Sequence, residues 1–168
     1  MSRQVSEYFH RTAADFDAIH DRRGGCAALI DRVFRRGMRE RYAYVMAAAA
    51  AARPPLTSLL DAGCGGGKYC VALAGRGLTA LGVDFAPAMV DLATRRAQTA
   101  GVAARCRFLA GDLMTLTLQP ADLVLAIGLF DYVAVPGPLL ERLRTLARRE
   151  LIVSFPRAGT WQGWLRRL

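Results

Sequence analysis

Lysine is almost missing from this chain: Lys68 stands alone against 22 arginines, in 168 residues with a formal net charge of +9. A surface built for nucleic acid gathers its cations into a patch or stripe. Here the arginines are scattered among abundant Ala, Gly and Leu, as a GC-rich, bacterial coding bias would leave them, and nucleic acid is not the expected partner. Long apolar runs are missing too. The longest, residues 42–52, is mostly alanine and falls short of the about 20 residues that span a bilayer. Met1-Ser2-Arg3-Gln4 leads into polar and aromatic residues with no apolar signal core, which points away from export and towards the cytoplasm. The four cysteines, Cys26, Cys64, Cys70 and Cys106, form no CxxC pair, and the only histidines are His10 and His20, so free thiols are expected and no metal site. What remains, 53% apolar and 22% charged, suits one folded domain.

Two rhythms divide the chain. Residues 1–55 read as helical: Phe9, Ala13, Phe16 and Ile19 share one stripe, Asp21 to Gly25 interrupts it, and a second helix is expected over 27–52 with Leu29, Ile30, Val33, Phe34, Tyr42, Val45 and Met46 inward. Arg53-Pro54-Pro55 ends it, because proline lacks a donor and clashes with the preceding turn. From residue 56 to 168, short apolar runs at 58–62, 79–83, 105–109, 121–127 and 150–155 alternate with helical stretches at 68–75, 87–100 and 138–147. Pro87 suits a first helical turn and Gly101 a C-terminal cap. Strand–helix alternation of this kind predicts an α/β, doubly wound, Rossmann-like and mostly parallel sheet behind a helical N-terminal segment.

Between the first expected strand and its helix lies Asp61-Ala62-Gly63-Cys64-Gly65-Gly66-Gly67-Lys68. Glycines in such a loop let backbone N–H groups approach a ligand. The dinucleotide fingerprint GxGxxG fails, since Lys68 or Cys70 stands at its last glycine, and the P-loop fails at Ala62 and Tyr69. An acid two residues before GxGxG fits neither template. Further along, Asp84 ends the second strand, Gly111-Asp112-Leu113 follows the third, and Ile127-Gly128 with Asp131-Tyr132 follow the fourth.

In that order, over residues 58–155, these segments resemble the class I S-adenosylmethionine-dependent methyltransferases. The resemblance implies S-adenosyl-L-methionine as cofactor. Asp61 and Gly63 would hold its amino end beside the Cys64, Gly65 and Gly67 backbone. Asp84 would hold the ribose, Phe85 and Met89 would flank the adenine, and Asp112 with Leu113 would read its edge. Ile127 and Gly128 would border the methionine part. The opening, Tyr8-Phe9-His10-Arg11 to Asp17, is similar to that of small-molecule methyltransferases such as the magnesium-protoporphyrin O-methyltransferases, which implies a lid over the cofactor bearing Tyr8, Phe9 and Arg11.

The implied reaction moves a methyl group to oxygen or nitrogen of a small-molecule acceptor. His10, His20, Asp131 and Tyr132 are the candidate bases, and their spacing selects none of them. A full class I sheet has two more strands than the five expected here, so the C-terminal strands are expected to be missing, with an exposed edge open to homodimer formation. Other readings stay open: a cofactor-binding module without turnover, an RNA methyltransferase, or a nicotinamide-dependent oxidoreductase, the last opposed by Lys68.

Overall fold

The computed structural model describes residues 26–155, with side chains from Arg36 onward. Helix α1 (Cys26–Ala51) leads into strand β1 (Ser58–Ala62), and then come α2 (Lys68–Ala74), β2 (Thr79–Asp84), α3 (Pro87–Thr99), β3 (Cys106–Ala110), β4 (Ala121–Ala126), α4 (Pro136–Leu146) and β5 (Ala147–Val153). The five strands form one sheet in the order β3-β2-β1-β4-β5, and every pair is parallel. The expected doubly wound, Rossmann-like fold is the observed one. The order reverses between β1 and β4, so a crevice opens at the carboxyl ends of those strands, where sheets of this kind bind ligands.

Strand alternation builds a core on each face of the sheet. Leu59, Leu123 and Leu125 face Val45, Met46, Cys70 and Leu73, from α1 and α2. Leu60, Val124 and Ala126 face Leu139, Leu143 and Leu146 of α4. β4 is buried at every position, as a central parallel strand covered on both faces must be. Pro87 occupies the first turn of α3, and Gly101 follows that helix at φ 70°, so both cap expectations hold. Of the residues expected inward on the second helix, Val45 and Met46 are buried and Tyr42 is half-buried; Leu29, Ile30, Val33 and Phe34 lie outside the described side chains.

The clearest departure from expectation is β5, which starts at Ala147 rather than at 150. It follows α4 without a loop, and Ala121 pairs with Ala147. Arg148 and Arg149 disguise it: on an edge strand such side chains stay in solvent, so the segment shows no apolar alternation. Any pairing of two copies along this edge has to accommodate those arginines.

A polar clasp joins the entry of β1 to β4. Asp122, only 9% exposed, accepts hydrogen bonds on one carboxylate oxygen from the Thr57 N–H (2.9 Å) and hydroxyl (2.7 Å). Its own N–H donates to the Ser58 hydroxyl at 2.9 Å. The Thr57 hydroxyl and N–H hold the Asp122 carboxyl below the usual carboxylate range, and the Arg149 charge adds to this against the cost of burial. Because the native acid is the stronger one, its stabilisation is complete above the ordinary pKa and fades as pH falls below it. Asp122→Ala is expected to cost about 0.5–1.5 kcal/mol at pH 7, the size of an ordinary hydrogen bond, since Thr57 is exposed and water can meet its donors. Urea unfolding should show the gap between variant and wild type shrinking at pH 3; a gap constant with pH would rule out the carboxylate as its source.

Candidate functional site

The glycine loop is shaped by β2. The Gly63 and Cys64 N–H groups both donate to the Val83 carbonyl, at 2.8 and 3.0 Å. The Gly65 N–H donates to the Asp84 carboxylate at 2.8 Å, whose other oxygen accepts from the Ala86 N–H at 2.9 Å. Gly63, Gly65 and Gly67 all have positive φ (72°, 49° and 73°), which side chains rarely tolerate. From α3, the Arg96 guanidinium reaches the Gly66 carbonyl at 2.6 Å and pins the outer side of the loop.

The loop borders a cavity of about 850 Å³ at the carboxyl end of the sheet, within the range of small-molecule sites. Its walls include Asp61, Gly63, Cys64, Gly65, Asp84, Phe85, Met89, Asp112, Leu113, Ile127 and Gly128, gathered from four strand ends. Asp131 and Tyr132, on the short 3-10 turn Leu129–Tyr132, line it as well, and each makes a further contact within the protein. Gly67 is the exception among the expected residues. It lies outside the lining, and a Cβ there would meet the Ala93 Cβ at 2.8 Å and the Phe108 ring at 3.0 Å, so its job is packing. Gly65 is the reverse case, since its Cβ would stand in open space. His10, His20, Tyr8, Phe9 and Arg11 lie outside the described residues.

Charge in the cavity is unevenly housed. Asp61 is 2% exposed and accepts a long hydrogen bond, 3.7 Å, from the Cys70 thiol, a weak donor. Burial pushes its carboxyl up to about 7; the thiol bond opposes this and the Asp84 charge adds to it. Asp84 is also raised by burial, against the pull of the Ala86, Gly65 and Phe85 N–H groups. Asp112 is exposed and accepts from the Met114 N–H at 2.9 Å, so it closes a turn while lining the cavity. Burial raises the thiols of Cys64 and Cys70 far above their ordinary range, which keeps them protonated and unreactive. The described residues hold no cluster of potential metal ligands.

Sequence reasoning missed part of the wall. Met38 and Arg41 enter from α1, Tyr69 from α2, and Val133 to Val135 from the segment after the 3-10 turn. Helical spacing puts Met38 and Arg41 on one face of α1, but nothing in the sequence says which element that face meets.

Residues 59–150 match the model of a family described as a methyltransferase domain. The chain belongs to this family. Across 104 residues it is 31% identical to the tRNA 5-carboxymethoxyuridine methyltransferase of Escherichia coli, covering 60% of this chain and 40% of that protein. Over 92 residues it is 28% identical to the ubiquinone biosynthesis O-methyltransferase of Coxiella burnetii, covering 54% and 38%. The chain thus spans about 40% of the length of the curated relatives it matches. Among solved structures, the magnesium protoporphyrin IX methyltransferase of Synechocystis PCC 6803 with bound SAH aligns at TM-score 0.78 and 26% identity, covering 97% of this chain and 75% of that one. The methyltransferase domain match starts after α1 and ends within β5, so the Met38–Arg41 wall lies outside it.

Proposed function

We propose that this chain is an S-adenosyl-L-methionine-dependent methyltransferase acting on oxygen or nitrogen of a small-molecule acceptor. The residues fit the cofactor. Open space over Gly65 admits a ligand against the loop backbone, and the buried Asp61 offers a carboxylate whose hydrogen-bond partner among the described residues is a thiol. Asp61 and Gly63 would take the amino end. The Asp84 carboxylate, which takes the Gly65 and Ala86 N–H groups on separate oxygens and also feels the Phe85 N–H, has lone pairs left that would accept from ribose hydroxyls. Phe85 and Met89 would flank the adenine, and Asp112 with Leu113 its edge. When bound, the cofactor supplies the electrophilic methyl group on its sulfonium. The chain's own task is to orient the acceptor and keep water out. Asp131 and Tyr132, which line the same cavity as Ile127 and Gly128, would hold the acceptor's proton or hydroxyl.

The observation that carries the small-molecule reading is the rim. Met38, Phe85, Met114, Tyr132 and Val135 are exposed and all line the cavity, an apolar mouth suited to an apolar acceptor body rather than to a phosphate backbone. Buried, protonated thiols at Cys64 and Cys70 suit a reducing cytoplasm.

Thermal unfolding with S-adenosylhomocysteine tests the reading. At a hundredfold excess over Kd a native-state ligand adds about 2.7 kcal/mol, or a rise of roughly 5–10 °C in Tm for a chain of this size. Asp84→Ala should abolish the rise. Cooperative unfolding with no rise would refute the cofactor site, whereas binding without methyl transfer to any acceptor would mark a module that does not turn over.

A further inference from the structure

We infer that Arg96 is a positioning residue for the cofactor loop: from the last turn of α3 its guanidinium holds the Gly66 carbonyl, and this fixes the shape in which the loop receives the cofactor. The inference rests on the S-adenosylmethionine reading above. It starts from a weakness built into the loop. A run of glycines lets a ligand reach the backbone, but glycine also loses more conformational freedom on ordering than any other residue. Gly65, Gly66 and Gly67 therefore need holding from outside the run. The Gly65 N–H is held by the Asp84 carboxylate at 2.8 Å, and the Gly67 N–H by the Cys64 carbonyl at 2.9 Å. Gly66 lies between them inside that turn, and Arg96 Nη1 donates to its carbonyl at 2.6 Å.

Helix α3 is mounted to act as the brace. Leu92, Ala93 and Arg96 share one face at helical spacing. Ala93 and Ala97, 0% and 1% exposed, seat the helix against β2 and β3. The same helix is capped at Ala86, whose N–H takes the second Asp84 oxygen at 2.9 Å. Through Asp84 to Gly65, and through Arg96 to Gly66, α3 is thus tied to the loop at both of its ends. Gly66, unlike its two neighbours, has no positive φ, so its identity answers to space and not to backbone conformation. A Cβ there would stand 2.9 Å from Arg96 Nη1 and 3.1 Å from Leu92 Cδ2. The missing side chain makes room for the guanidinium, whose charge strengthens the bond to the carbonyl.

Binding kinetics separate a brace from a direct ligand contact, a needed distinction because Arg96 also lines the cavity. Without the brace the loop holds its receptive shape for a fraction of the time, and apparent affinity falls by that fraction. Arg96→Ala keeps a good helix former at this position. It should weaken S-adenosylhomocysteine binding by about tenfold, the size of one charge-assisted hydrogen bond. Surface plasmon resonance should find that loss in association, with dissociation within about twofold of wild type. Gly66→Ala should act alike, because its methyl displaces the guanidinium from the carbonyl. The double variant should bind no worse than either single one, since both remove the same bond. That cycle also isolates the loop bond from the further contact Arg96 makes within the protein. A loss carried by faster dissociation would overturn the inference, because Arg96 would then touch the ligand itself. Additive losses in the double variant, or unchanged affinity in Arg96→Ala, would overturn it as well. Wild-type protein that does not bind S-adenosylhomocysteine would remove the cofactor reading itself, and the brace with it.

Discussion

Replacing Asp61 with Asn is expected to make the ligand-free protein more stable at pH 8 while weakening its hold on S-adenosylhomocysteine. The side chain is 2% exposed at the carboxyl end of β1 and its hydrogen-bond donor is a thiol. Burial therefore favours the neutral acid and lifts the carboxyl to about 7. An unfolded Asp ionises near pH 4. Between those values the native chain keeps a proton that the unfolded chain has released, so stability falls as pH rises through the window. Above the window the native carboxylate is fully charged, and the penalty reaches roughly 4 kcal/mol, at about 1.4 kcal/mol per pKa unit. Below the window both states hold the proton and the penalty vanishes. Asp84 is raised by burial as well and tilts the profile in the same direction, so the difference between wild type and variant reports Asp61 together with its coupling to Asp84.

Binding should run opposite to stability. A ligand ammonium needs the charged carboxylate, so wild-type affinity should climb with pH up to about 7 and then level, whereas Asp61→Asn should bind weakly with no such climb. Urea midpoints and ligand titrations at pH 5 and pH 8 measure both. A variant with the wild-type pH slope in stability would sink the buried-carboxylate account. One that binds as tightly as wild type would separate Asp61 from the ammonium. A site that lowers stability in order to keep a charge ready for its ligand is a familiar compromise.

How far this was legible in the sequence depends on what each residue answers to. The strand–helix alternation and the glycine turn were readable because they are local: apolar rhythm, Pro87, Gly101 and the run Gly63 to Gly67 carry their own geometry. Asp61, Asp84 and Asp112 could be placed because each ends or follows a strand, and parallel strands deliver such residues to one edge. Contacts between distant segments were hidden. The register that sets Gly82 opposite Phe108 follows from β2–β3 pairing, and only that pairing reveals why β2 has a glycine there: a Cβ would lie 2.6 Å from the ring and 2.8 Å from the Cys64 sulfur. Arg41 was invisible for the same reason, since the packing of α1 on α2 through Tyr42 and Tyr69 brings it to the cavity. β5 was displaced in the reading because an edge strand can carry Arg148 and Arg149 without breaking any core pattern.

The glycine loop gives a second large effect, because two of its glycines should fail in different ways. Gly67 is the N-cap of α2 at φ 73°, and its missing Cβ would strike Ala93, which is 0% exposed on α3, as well as the Phe108 ring. A left-handed backbone costs a non-glycine residue about 1–2 kcal/mol, and forcing a methyl into a filled space about 1–3 more. Ala93 cannot swing aside, since its Cβ is fixed to the helix backbone. Gly67→Ala should thus lose about 2–5 kcal/mol, which lowers Tm by roughly 10 °C for a chain of this length. Gly65→Ala shares only the backbone term, at φ 49°, because its methyl would enter open space in the cavity. That variant should stay within about 2 kcal/mol of wild type in stability and lose affinity for S-adenosylhomocysteine, whose path to the loop backbone the methyl would block. Calorimetry and ligand titration on the pair separate packing from recognition. A Gly67→Ala protein that melts with wild type would refute the packing role, and a Gly65→Ala protein that binds like wild type would place the ligand away from the loop.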